Sequence, residues 1–376
     1  MSFKVVTKEY AFDEFLNNII VQELPSYNTF KIACYLTDYN DWNSKNTNNL
    51  SLIELFEINR FKLENLGEIK RIIQLYYDKD INKEINVIFY LYLQPETKLL
   101  FCITDARTNI IKDIFGKFVN YNIGIYYLFI SASAFYYIAR KIKELDGKNE
   151  CIYFSARHLP SYVTKGKYRP ENKRTIIYHS RDGDGLDTLY EMKENYGVLP
   201  RIMKFRLEDI GIFDVKNTGI FTVDSASNDE IARLKLLEII EFALEYVLRQ
   251  KKIIDNSKYE LVSIKTRDKI FDIPSIKPWI IRFGDFLNDE NMEEIVKILN
   301  NEDFPIFNYV SERGSSFRLN GTVVDSRKNK LFSIDVNNNE ILISPYGKVD
   351  FDSFFRFFEI IVENLDPEAN IMEEIL

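Results

Sequence analysis

Histidine and cysteine are scarce in this chain of 376 residues. Only His158 and His179 are present, neither beside a cysteine pair, and no Cys-x-x-Cys occurs, so the ligand sets of a structural zinc site are missing. A Ser-His-Asp hydrolase would need one of those histidines as base, and no Gly-x-Ser-x-Gly elbow presents a serine. Glycine-rich phosphate loops are absent too. No Gly-Lys pair has a glycine five residues ahead of its Gly, and "GDG" lacks the third glycine of a dinucleotide fingerprint. These gaps argue against a nucleotide-driven motor and a Rossmann oxidoreductase. The three cysteines, Cys34, Cys102 and Cys151, are odd in number, far apart and mostly set in apolar runs such as "LLFCITD". Buried free thiols in a reducing cytoplasm are expected. The opening "MSFKVVTKEYAFDEF" carries charges where a signal peptide needs an apolar core, so export is not expected.

What is plentiful is ordinary globular material, 46% hydrophobic and 28% charged, with 29 Phe and 23 Tyr. Ile, Lys and Asn are abundant as well, a set encoded by AT-rich codons. The length suggests two or three domains. One run of 22 residues without a charge, Phe118 to Ala139, is long enough to span a bilayer. It holds Asn120, Asn122, Ser131, Ser133 and five tyrosines, and reads as a strand from Ile123 to Ile130 that hands over to a helix, so no membrane span is expected.

The spacing of apolar residues predicts a mixed α/β (α+β) protein with mixed sheets packed by helices. Three regions are expected: a mostly helical 1–84, a central α/β domain 85–257 with a long loop at 156–173, and an α+β domain 258–376. Ser51 and Glu54 stand at capping-box spacing and predict a helix running from there to about Tyr76. "INVIFYLYLQPETKLLFCIT" reads as a hairpin. Helices are predicted near 108–119, to Leu145, over "GLDTLYEMKENY", and over 229–252, 289–299 and 351–365. Strands are predicted at "FKIACYL", "ECIYFS", "RTIIYH", "YELVSIKT", "PWIIRF" and "FPIFNYV", with a second hairpin in "KLFSIDVNNNEILISP". The polar "KKIIDNSK" is the expected boundary before the last region.

Net charge is −8, yet residues 140–181 carry eleven Lys and Arg against four Asp and Glu, so the rest of the chain carries −15. Within that segment Arg157, Lys165, Lys167, Arg169, Lys173, Arg174 and Arg181 alternate with Tyr162, Tyr168 and Tyr178. Cations neutralise phosphates and rings stack on unpaired bases, so this tract is the expected site for nucleic acid. The same charges would also serve a loop kept soluble by them, or one that meets an acidic protein partner.

Asp182, Asp184 and Asp187, spaced by glycines, form a second candidate, for Mg²⁺. With Glu191 and Lys193 they imitate the acidic-acidic-lysine set of metal-dependent nucleases. Leu186 stands where an EF-hand would place an oxygen ligand, and on a helix Glu191 and Lys193 lie about 200° apart. An Asp-Gly turn before a helix accounts for the same residues. Arg174 and His179 have an Arg-x4-His spacing used by some metal-independent ribonucleases, but "TIIY" between them suits a strand. The expected function is a non-catalytic accessory subunit that binds an anionic partner, of the kind found in microbial or viral defence complexes. A metal-dependent nuclease or phosphotransferase and a protein-only scaffold are the alternatives.

Overall fold

The structure is a computed structural model. It describes residues 11, 14–15, 29–45, 49–122, 124–158, 174–208, 211–224, 238–240, 242–245, 248–249, 252, 259–265, 270–276, 278–284, 287, 289–313, 317–327, 329–346, 351–366 and 368–372. The fold is α/β with several sheets, and every strand pairing among the described residues is antiparallel.

β1 (Phe30–Thr37) leads to α1 (Leu52–Ile58), whose capping box is formed as its sequence predicts. Ser51 Oγ accepts from the Glu54 amide at 3.2 Å, and Glu54 Oε2 accepts from the Ser51 amide at 2.7 Å. The helix does not continue to Tyr76. Arg60 takes φ 64°, outside the right-handed helical region, and Gly67 at φ 76° turns the chain between two strands. The apolar residues that follow belong to β2 (Leu63–Leu66) and β3 (Ile69–Asp78), so described residues 30–84 are mainly strand and not mostly helical. Short apolar runs fit both periods, and here the left-handed residues decide. The predicted hairpin is β4 (Lys83–Gln94) and β5 (Leu99–Thr104).

A helical stretch follows: α2 (Thr108–Ile111), a π turn at Lys112–Gly116 and α3 (Lys117–Tyr121). The uncharged run then divides as its polar residues suggest, into β6 (Ile125–Tyr127) and α4 (Ala132–Leu145), with Ser131 capping the helix. No helix among the described residues is long and apolar enough to cross a membrane. Next come β7 (Glu150–His158), β8 (Arg174–His179), α5 (Gly185–Tyr196), β9 (Val198–Leu207), β10 (Gly211–Lys216) and β11 (Ile220–Asp224).

The later part holds the pair β12 (Tyr259–Lys265) and β13 (Ile270–Ile276), then β14 (Trp279–Arg282) and α6 (Asp289–Asn301). β15 (Ile306–Arg313), β16 (Phe317–Asp325), β17 (Lys330–Asn337), β18 (Glu340–Pro345), α7 (Phe351–Asn364) and β19 (Asn370–Met372) complete it. The expected boundary at residues 251–258 lies almost wholly outside the described residues.

β1–β11 form one sheet, ordered β2-β3-β4-β5-β1-β11-β10-β9-β7-β8, with β6 also paired to β1. It runs through residue 84 without a break. β14–β19 form a six-stranded sheet. One face of the large sheet carries Ile32, Cys34, Phe101, Phe154, Phe205, Phe213 and Phe221, buried in the same core as α4 and α7. Among the described residues the opposite face is covered only in part. Phe56, Phe115 and Phe118, from α1, the π turn and α3, lie over Tyr35, Phe89, Leu91 and Cys102 of β1, β4 and β5. Phe56 and Phe118 stack at 4.5 Å, and Phe89 meets Phe115 at 4.9 Å, pairs worth about 0.5 to 1.5 kcal/mol each beyond their burial. The aromatic cover ends at β1. Beyond it, the same face over β11, β10, β9, β7 and β8 turns polar.

Candidate functional site

That polar half-face is assembled by register. Lys31 of β1 stands opposite Thr222 of β11, Thr222 opposite Asp214 of β10, and Asp214 opposite Lys204 of β9. Lys204 stands opposite Tyr153 of β7, and Tyr153 opposite His179 of β8. Directly opposed residues share a face, so these six side chains form one row across six strands, about 24 Å long. Lys216 and Ile212 flank Asp214 on β10 with the same facing, and Arg206 and Ile202 flank Lys204.

Each strand supplies its polar residue from an apolar run, "FKIACYLT", "IFTVD" or "GIFDVK", in which alternate positions enter the core and the ones between reach this face. The row differs at its two ends. At β8 it is open: His179 is exposed, its ring 4.9 Å from Tyr153, and Lys204 Nζ lies 5.7 Å from the Tyr153 ring centroid. At β1 and β10 it is closed. Thr222 is 7% exposed and Asp214 6%. Lys31 and Lys216 are half-buried, and Lys216 donates to Thr108 Oγ1 of α2 at 3.1 Å.

Burial and charge there are imperfectly matched. Asp214 Oδ2 is 3.8 Å from Lys204 Nζ, while Asp214 Oδ1 and Thr222 Oγ1 are buried with no hydrogen-bond partner. Desolvation lowers the Lys31 pKa below the usual lysine value, and Lys216 lowers it further; Asp214, Asp105 and Asp224 oppose the shift. Lys216 is lowered by desolvation too, against Asp214 and with Lys204 and Lys112 adding to the shift. A buried ammonium that loses water without a full partner holds its proton less tightly. Such groups cluster where a ligand or a reaction uses them.

The residues singled out from the sequence lie elsewhere or apart. Tyr162, Lys165, Lys167, Tyr168, Arg169 and Lys173 fall outside the described residues; Arg174 begins β8, and Arg181 is exposed just beyond that strand. Arg157 is engaged internally. Its Nη1 is 2.7 Å from Glu363 Oε2 of α7, and Arg201 of β9 bonds the other carboxylate oxygen, so the pair ties the large sheet to the C-terminal helix. Arg174 and His179 sit on a strand, not on a helix.

The three aspartates do not converge on a metal. Asp184 Oδ2 accepts from the Tyr178 hydroxyl at 2.6 Å and Oδ1 from Ser180 at 2.7 Å, which together hold its pKa below the usual carboxylate value. Asp182 is exposed before it, and Asp187 is exposed in the first turn of α5. No group of three or more His, Cys, Asp or Glu that could hold a metal ion occurs among the described residues. Lys193 points away from Glu191 on α5, pairing with Glu368 and lying 4.9 Å from the Tyr136 ring centroid. "DGDGLD" is therefore a turn, with Gly183 at φ 77°, that runs into the first residues of α5. A Cβ on Gly185 would stand 2.1 Å from the Cys151 carbonyl oxygen, so only glycine seats α5 against β7. The three cysteines are buried and unpaired, their thiols pushed up by burial.

A family model described as a family middle domain matches residues 138–218. That segment holds the row from His179 through Tyr153 and Lys204 to Asp214 and Lys216, and leaves Lys31 and Thr222 outside. The chain is also similar to a protein of Archaeoglobus fulgidus described as an uncharacterized protein, 26% identical over 367 residues that cover 92% of this chain and 97% of the relative.

Proposed function

We propose that this protein is a non-catalytic intracellular subunit that binds nucleic acid along the polar half-face of its large sheet. The observation that carries the reading is the row itself. Lys204 and Arg206 offer charge to a phosphate backbone, and Tyr153 and His179 offer rings to unpaired bases. Arg181 adds charge just beyond β8, and the sequence that joins β7 to β8 is basic, inside a segment of net +7 in a chain of net −8. A sheet face bearing rings and cations suits a single strand better than a duplex, whose bases are already stacked.

The test is binding of labelled single- and double-stranded DNA and RNA at rising salt. Lys204→Ala with His179→Ala on the sheet, and replacement of Lys165, Lys167, Arg169, Lys173 and Arg174 in the tract, should each weaken single-strand binding and reduce its salt slope. Absence of salt-sensitive binding by the unaltered protein would sink the reading.

A partner protein within a larger complex is favoured by a separate observation. β15 ends the six-stranded sheet, and its Phe307, Tyr309 and Val310 are 52%, 48% and 61% exposed. An apolar edge strand of this kind is usually covered. Co-purification of a partner that is lost on Phe307→Lys would support this second reading.

A further inference from the structure

We infer that the closed end of the row, Lys31, Lys216, Thr222 and Asp214, is a site for a phosphate monoester carried on a sugar, namely the phosphorylated end of the bound strand. The inference rests on the strand-binding reading and adds to it which part of the strand is recognised.

Three features point to this ligand. First, the site is built and buried, and two of its polar atoms lack partners: Asp214 Oδ1 and Thr222 Oγ1, on side chains 6% and 7% exposed. Leaving such atoms unsatisfied costs stability that a ligand in the site restores. Second, the donors and acceptor are sorted. Lys31 and Lys216 approach from opposite sides of Thr222, and their ammoniums with the Thr222 hydroxyl can donate to phosphate oxygens. Asp214 Oδ1 can only accept, which suits a hydroxyl beside the phosphate and would repel a second phosphate. Of the acids at the margin, Asp224 accepts from Thr29 at 3.0 Å, and Asp105 and Asp224 both lie near enough to Lys31 to support its charge. Third, the row is a dead end. Among the described residues it opens at His179, which is exposed, and stops where Lys216 meets Thr108 and the aromatic cover begins. An internal phosphodiester needs chain on both sides, whereas a monoester needs one way in.

Binding has a chemical consequence for the lysines. Their depressed pKa values reflect ammoniums stripped of water, and a dianion between them restores what burial removed, so both should hold their protons more tightly when the site is filled.

The experiment compares one internally labelled single strand with a 5′-phosphate, a 3′-phosphate or hydroxyl ends, using the full chain, Lys31→Met with Lys216→Met, and Thr222→Val. Methionine keeps the volume and removes the charge, and valine keeps the shape of threonine without its hydroxyl. The unaltered protein should bind one phosphorylated end at least tenfold more tightly than the hydroxyl-ended strand. That ratio should fall to about one in the double variant and be reduced in Thr222→Val. A second probe, inorganic phosphate, should raise the melting temperature of the unaltered protein and not of the double variant. Equal affinity for all three ends, or a ratio that survives the double variant, would overturn the inference while leaving strand binding intact. Phosphate stabilisation without binding of any strand would uphold the monoester site and overturn its assignment to a strand end. If neither probe binds, both readings fall.

Discussion

Asp184 and Asp214 belong to the same large-sheet unit and solve opposite problems. Asp184 is at the surface, where water could serve it, yet both of its oxygens are taken by Tyr178 and Ser180. Asp214 is buried, where water cannot serve it, yet one of its oxygens has no partner. A polar group at the surface loses little by changing partners, whereas one in the interior must be matched or used. The saturated aspartate is therefore part of a turn, and the unsaturated one marks the site. The contrast also separates local from long-range supply: neighbours in sequence serve Asp184, while Asp214 lies between β11 and β9.

The sharpest way to break the Asp184 side of this contrast is to unseat its turn. Gly185→Ala would drive a Cβ into the Cys151 carbonyl oxygen, and backbone cannot swing aside as a side chain can. We expect a loss of about 3 kcal/mol in chemical denaturation, the upper range for overpacking. A loss below about 1 kcal/mol would mean that α5 is free to slide on β7. On the other side, Asp214→Ala removes the acid that supports Lys31, Lys204 and Lys216. A cost of about 2 kcal/mol is expected, less than for a fully buried ion pair because Lys204 is 41% exposed. The lysines should respond as well. With Asp214 gone, Lys31 and Lys216 should titrate lower still, read by NMR of their Nζ groups. Because a lowered lysine binds fewer protons folded than unfolded, their burial makes stability rise with pH as the solution approaches the ordinary lysine value. Asp214→Ala should steepen that rise.

Much of the fold can be read from the sequence, and the reasons are local. The Ser51–Glu54 box, the β4–β5 hairpin and Gly197 as the left-handed stop of α5, at φ 56°, each depend on residues within a few positions. The stretch after Arg60 cannot be read the same way, because "FKLENLGEIKRIIQLYY" has apolar residues that suit either period and its fate turns on two left-handed residues. The candidate site is harder still. Lys31, Lys204, Asp214, Lys216 and Thr222 each carry the same weak signal, a polar residue at an alternate position in a buried strand. What brings them together is the pairing of β1 with β11 and of β10 with β9, which no local spacing encodes. The basic tract is legible because its residues lie near one another in sequence, yet the Arg157 guanidinium bonds Glu363, 206 residues further on.

That same junction gives a smaller, pH-dependent test. Burial pushes Glu359 of α7 up to about 8, and Glu363 beside it adds to the shift, against Arg201, Arg356 and Arg327. A carboxyl raised in the folded state binds more protons there than in the unfolded chain, so it stabilises at low pH and that contribution is lost as pH climbs from the ordinary glutamate value toward 8. Glu359→Gln should flatten the decline in stability over that window and leave the lysine-dependent rise at higher pH in place. An unchanged slope would mean that Glu359 is solvated.

The smallest expected effect concerns Asp184 itself. Tyr178 first and Ser180 second hold its pKa down by donating to the ionised form. Stability from those bonds is present above the ordinary aspartate value and is lost as pH falls through the lowered one. Tyr178→Phe should move the Asp184 titration, followed by carboxyl NMR, back toward the ordinary value, with little change in melting at neutral pH because the group is exposed. The same variant separates a turn from a metal ligand. If the two hydroxyl bonds are what Asp184 is for, Mg²⁺ should shift the melting temperature of neither protein. A Mg²⁺-dependent rise that Asp184→Asn abolishes would instead place Asp184 with the unsatisfied Asp214, as a carboxylate kept for a ligand.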